Sequence, residues 1–122
     1  MKNILKDKSF LLAIEIVGIY KHIIEDKREF VMSKQLLRSG TSVGAMVREA
    51  QNAESKNDFI HKLAIAQKEC DETLYWLELI LATGYLSEEM FTICFQHASE
   101  ILKILKSSIL TTKQNLSTTH SK

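Results

Sequence analysis

A chain of 122 residues and 14.0 kDa fits one domain and leaves no room for a second. Its 45% apolar and 25% charged residues exclude a disordered chain or a coiled-coil rod. The absence of proline and the four glycines disfavour a sandwich, a barrel or a many-looped α/β enzyme. Sixteen basic and fifteen acidic side chains leave a formal charge of +1, so a nucleic-acid contact would need a local patch rather than a general field.

The first helix is expected from about Asp7 to Asp26. Phe10, Ile14, Val17 and Ile24 mark one stripe, and Leu12, Ile16, Ile19 and Ile23 mark another. Two stripes exceed what a helix covering a core requires, so the helix is either central in the domain or offers one face to another subunit. The apolar run Phe10–Tyr20 contains Glu15, and no cleavage-site pattern follows it. A signal peptide, a membrane span and a membrane partner are therefore not expected.

The second helix is expected over residues 34–53, with Ser33 as its cap and Val31 available as a staple. Leu36, Gly40, Val43, Val47 and Ala50 fall on one face. Two glycines inside a helix cost roughly 2 kcal/mol relative to alanine, a cost most easily accepted where Gly40 lets a neighbouring helix come close; the alternative is a local kink.

Ser55 and Asp58 form a capping-box pattern that opens a third helix over residues 56–83, with Gly84 just past its end. Its core stripe is Phe59, Leu63, Ala66, Cys70, Thr73 and Leu77, and Asp58 with Lys62 makes a favourable i,i+4 pair. Ser87, Glu88 and Glu89 start a fourth helix over residues 88–112, with Met90, Cys94, Ile101, Leu105 and Ile109 on its buried side. Residues 114–122 are polar and read as a frayed, flexible tail, which leaves residues 1–113 as the domain. Four long helices with short connections make an all-α, antiparallel up-down-up-down four-helix bundle.

Chemistry is sparse. Asp58-x-x-His61 and His97-x-x-Glu100 have the spacing of bundle metal ligands, but they fall about 16 Å apart along the bundle, so no metal site is assigned. Cys70 and Cys94 lie on core stripes and read as buried, reduced thiols of a cytoplasmic protein. No glycine-rich phosphate loop or nucleophile–base set is present, so neither an enzyme nor a cofactor is expected.

Lys34, Arg38, Arg48, Lys56, Lys62 and Lys68 are candidate nucleic-acid contacts on helices two and three, interspersed with acidic residues. Ile65, Tyr75 and Trp76 sit on the shoulders of helix three's core stripe and are candidate subunit-interface residues, since aromatic side chains favour such positions.

The run Ser33-Lys34-Gln35-Leu36-Leu37-Arg38-Ser39-Gly40-Thr41-Ser42-Val43-Gly44-Ala45, then Arg48-Glu49-Ala50, Ser55 to Leu63, and Glu72-Thr73-Leu74-Tyr75-Trp76-Leu77-Glu78-Leu79 resembles the bacterial 23S rRNA intervening-sequence proteins, the S23 ribosomal protein family. The likeness runs from about Phe10 to Leu110. It implies a four-helix bundle assembled as a ring-like homopentamer, and it transfers no catalytic residue. A related family, the accessory proteins of diversity-generating retroelements, is basic and binds nucleic acid, whereas this chain is near neutral. The resulting expectation is a non-enzymatic homo-oligomer that binds structured RNA, rRNA or other nucleic acid weakly. The alternative is a protein–protein adaptor for a genomically linked partner, with no nucleic-acid role.

Overall fold

The computed structural model describes residues 3–120 and is all-α, with no strand among them. Helix α1 spans Ile4–His22 and passes into a π-helical turn over Ile23–Lys27. Helix α2 spans Met32–Gln51, α3 spans Lys56–Ala82 and α4 spans Glu88–His120. Each helix packs chiefly on two others: α1 on α2 and α4, and α3 on α2 and α4. Helices α1 and α3 are thus diagonal across one helical bundle.

One stripe from each helix builds the core. Leu12, Ile16, Ile19 and Ile23 come from the first helix, and Leu36, Val43, Val47 and Ala50 from α2. Leu63, Ala66, Cys70, Leu77 and Ile80 come from α3, and Cys94, Ala98, Ile101, Leu105 and Ile109 from α4. Gly40 serves close packing, as expected: a Cβ there would lie 2.7 Å from Ile16 Cγ1. Four hydroxyl residues are also buried, namely Ser9, Ser33, Ser39 and Thr73. The Thr73 hydroxyl lies 2.8 Å from the Glu69 carbonyl and 3.1 Å from the Ser39 hydroxyl, which ties α3 to α2 inside the core.

The ends differ from expectation in instructive ways. Asn3 caps α1, its side-chain oxygen accepting from the Lys6 amide at 2.9 Å, so the helix starts three residues before Asp7. Ser33 does not cap α2. Glu29 does so instead: its carboxylate accepts from the amides of Val31, Met32 and Ser33 at 2.8–2.9 Å, and the Ser33 hydroxyl donates to the Glu29 carbonyl. Burial pushes the Glu29 carboxyl up, but these amide donors outweigh it and hold the group below 4.5.

Ser55 caps α3 as expected, accepting from the Asp58 amide at 3.0 Å. The Asp58 carboxylate accepts from the Glu54 amide at 3.2 Å, one residue before the position a capping box requires. Gly84 has φ +87° and the Tyr85 amide donates to the Ile80 carbonyl, which is the closing bond of a Schellman end. Ser87 caps α4, and that helix runs on to His120, past the expected fade near Lys113. Threonine and serine did not stop it; the Thr112 hydroxyl donates back to the Ser108 carbonyl at 2.8 Å, within the helix. Residues 121 and 122 of the expected tail lie outside the described residues.

Candidate interaction surfaces

The stripe of α1 that holds Phe10 and Ile14 faces outward. Core residues Leu12, Ile16, Ile19 and Ile23 occupy the inner side, so at 100° per residue Asp7, Ile14 and Lys21 point straight away from the bundle. Leu11 and Gly18 lie to the α4 side of that line, and Phe10 and Val17 to the α2 side. Leu11 is 62% exposed, Ile14 54% and Phe10 51%. On α4 the neighbouring Ile93 is 48% exposed, and a hollow of about 370 Å³ is lined by Glu15, Gly18, Ile19, Met90 and Ile93. A Cβ on Gly18 would meet nothing within 4 Å.

Polar pairs close the seam between α1 and α4. His97 Nδ1 lies 3.1 Å from both carboxylate oxygens of Glu15, and Lys8 forms an ion pair with Glu100. The His97-x-x-Glu100 pair thus faces α1. Among the described residues no group of three or more His, Cys, Asp or Glu is placed to hold a metal ion.

The cysteines are free and buried. Burial, then the neighbouring Asp71 charge, pushes the Cys70 thiol up to about 12, and its sulfur lies 3.2 Å from the Ala98 carbonyl. Burial, followed by the Glu15 charge, raises Cys94 as well. Neither supplies a thiolate nucleophile.

The six candidate cations divide into two groups. Arg38 is held between two carboxylates of α3, with Nη1 donating to Glu69 at 2.8 Å and Nη2 to Glu72. Lys62 donates to Glu49 at 3.0 Å rather than to Asp58. Arg48 lies over the Phe10 ring, 5.2 Å from its centroid. Lys34, Lys56 and Lys68 are exposed and make no ion pair among the described residues. The spacing of single residues along one helix shows exposure well, but the carboxylates that capture Arg38 and Lys62 come from the facing helix.

Tyr75 is exposed, Ile65 is half-buried and Trp76 packs against the core with its Nε1 donating to Glu72 at 3.2 Å. The Tyr75 and Trp76 rings meet edge to face, with centroids 5.0 Å apart. Tyr75 lies on the outer side of α3 with Lys68 and Asp71 and is the one large apolar side chain exposed on that helix. The broader exposed apolar surface belongs to α1. Its signal in the sequence was the doubled stripe; Gly18, which sits in mid-helix without an internal packing role, was the residue not singled out.

No helix among the described residues is long and apolar enough to cross a membrane. Comparison with curated proteins returns no match. A crystal structure of a Bacteroides thetaiotaomicron protein of unknown function, from the S23 ribosomal protein family, superposes with a TM-score of 0.86 at 51% identity. The match covers 87% of this chain and 98% of that one. The model of the 23S rRNA-intervening sequence proteins matches residues 1–107, and this chain belongs to that family.

Proposed function

We propose that this protein is a non-enzymatic interaction module, an antiparallel up-down-up-down bundle that associates with copies of itself and offers the assembled helices to a protein partner. One observation carries the reading: α1 turns Phe10, Leu11 and Ile14 to solvent although its other stripe already supplies the core. Exposed apolar groups gathered on one helix mark association surfaces. The antiparallel order is supported by Glu49 pairing with Lys62 and Arg38 with Glu69 and Glu72, since residue numbers fall along α3 as they rise along α2.

A protein partner is favoured over RNA because Arg38 and Lys62 are already paired with carboxylates and Arg48 lies over Phe10. Phosphate contacts would have to displace those interactions, and only Lys34, Lys56 and Lys68 of the six have neither an ion pair nor a ring contact among the described residues. The family resemblance implies a ring of five copies.

Light scattering of the untagged protein, with absorbance at 260 and 280 nm, tests the reading. A mass that is a multiple of 14.0 kDa with a protein-like absorbance ratio is the expected result. A monomer at all concentrations would overturn it. Excess absorbance at 260 nm that co-elutes and is lost at high salt would replace the protein partner with nucleic acid.

A further inference from the structure

We infer that the surface formed by the start of α3 and the last turns of α4 docks an acidic, amphipathic segment of a partner protein. The inference rests on the protein-partner reading above and adds the partner's chemistry and its place on the bundle.

The formal charge of +1 conceals a division along this pair of helices. Residues 69–100, from the middle of α3 round the turn into α4, hold seven acidic residues and no Lys or Arg. Residues 101–122 hold four lysines and no Asp or Glu. The turn at Gly84 lays the two helices side by side, and the Cys70 sulfur lies 3.2 Å from the Ala98 carbonyl. Counting fourteen residues away from that contact on each helix brings Lys56 level with Thr112. Lys56 therefore joins Lys103, Lys106 and Lys113 at one end of the pair, and Glu78, Glu88 and Glu89 lie at the other.

All four lysines are exposed and make no ion pair among the described residues. Elsewhere this chain seats its cations on its own carboxylates: Lys8 on Glu100, Arg38 on Glu69 and Glu72, and Lys62 on Glu49. The acids that border the patch are engaged in that way, and the Asp58 carboxylate accepts from the Glu54 amide. Like charges gathered without compensation repel one another, and an acidic partner relieves that repulsion.

The patch has an apolar centre. At 100° per residue Lys103 and Leu110 point away from the core stripe of Ile101, Leu105 and Ile109, and Leu110 is 58% exposed. Lys106 and Lys113 lie to the α3 side of that line, opposite Glu100, which faces α1. Cations around an exposed leucine fit a helix that presents carboxylates around an apolar side chain of its own. They fit nucleic acid less well, because no exposed aromatic ring stands among them to stack on a base: Tyr75 is seven residues beyond Lys68, toward the acidic end. The patch also faces away from α1, so association through the outward residues of α1 leaves it uncovered whatever the number of copies.

Fluorescence anisotropy with the full chain tests the docking. The probes are a labelled helical peptide with glutamates and one leucine on one face, the same peptide with alanine for leucine, and an oligouridylate of equal charge. The leucine peptide should bind at low salt, and Lys106→Glu with Lys113→Glu should weaken it about tenfold. Lys21→Glu with Lys34→Glu makes the same change in net charge elsewhere on the surface and should leave binding within about twofold. The alanine peptide should bind more weakly, and Leu110→Ser should erase the difference between the two peptides.

Absence of peptide binding, or equal losses in the two double variants, would overturn the docking. Tighter binding of the oligouridylate, lost with Lys106→Glu and Lys113→Glu, would give the surface to nucleic acid instead. Particle growth with protein concentration that the same two changes abolish would give it to a second copy. A monomer that binds the peptide would overturn self-association alone, and an oligomer that does not bind it would overturn the docking alone.

Discussion

A methyl group placed on Gly40 would fall 2.7 Å from Ile16 Cγ1 and 2.8 Å from its Cγ2. Ile16 is fully buried and β-branched, so its side chain has little freedom to move aside. The absence of a side chain at Gly40 therefore fixes how near α1 approaches α2. Gly40→Ala should destabilise the subunit by about 1–3 kcal/mol despite alanine's better helix propensity, as overpacked cores do. Urea unfolding measures the loss, and Ile16→Ala, which removes both clashing carbons, should cost less in the Gly40→Ala chain than in the wild type.

Gly18 gives the opposite expectation. Its added methyl meets nothing within the subunit, so Gly18→Ala should raise subunit stability by about 0.5–1 kcal/mol through helix propensity and a less flexible unfolded chain.

Glu29 is the cap that composition concealed. Glu29→Ala removes the acceptor for three amides at the start of α2 and should cost about 1–2 kcal/mol at neutral pH. Its folded carboxyl lies below its usual 4.5, so the cap's contribution is present above that value and disappears as pH falls through the folded pKa. The gap between wild type and variant should therefore close on acidification, read by urea unfolding at a series of pH values.

Arg38 is half exposed, and solvent screens its two ion pairs. Arg38→Ala should cost no more than about 1 kcal/mol, and less as salt rises. The Glu72 carboxyl is held below 4.5 first by the Arg38 hydrogen bond, against burial, with Trp76 also donating to it. In the variant its NMR titration should move back upward. The accompanying stability lies above the unfolded pKa and is lost on acidification through the lower folded value.

The thiols should be silent in the native state. Burial disfavours both thiolates, so a disulfide reagent at mildly alkaline pH should find essentially no reactive cysteine until denaturant exposes two per chain. Rapid reaction in the native protein would contradict the packing around Ala98.

What could be read from residue order was whatever depends on one helix at a time. The stripes through Leu36, Val43 and Val47, or Leu63, Cys70 and Leu77, identify the buried sides because helical periodicity alone places them. Gly84 and Ser55 announce helix ends through local backbone chemistry. The fate of Arg38 and Lys62 was not legible in that way, since each is decided by a carboxylate on the facing helix. Ser33 looked like a cap and became a buried donor because α2 already starts at Met32, where Glu29 takes the amides of Val31, Met32 and Ser33 with its two oxygens. Helix one advertised its surplus apolar face, but only the packed bundle shows which of its two stripes remains outside.

The length of α4 bears on where this domain can be cut. The family match ends at residue 107, yet Ile109 is a core residue with 8% of its surface exposed. A chain trimmed at the boundary of similarity would keep every recognisable motif and still open the end of its own interior. For this protein the stretch that matches the family is shorter than the stretch that packs.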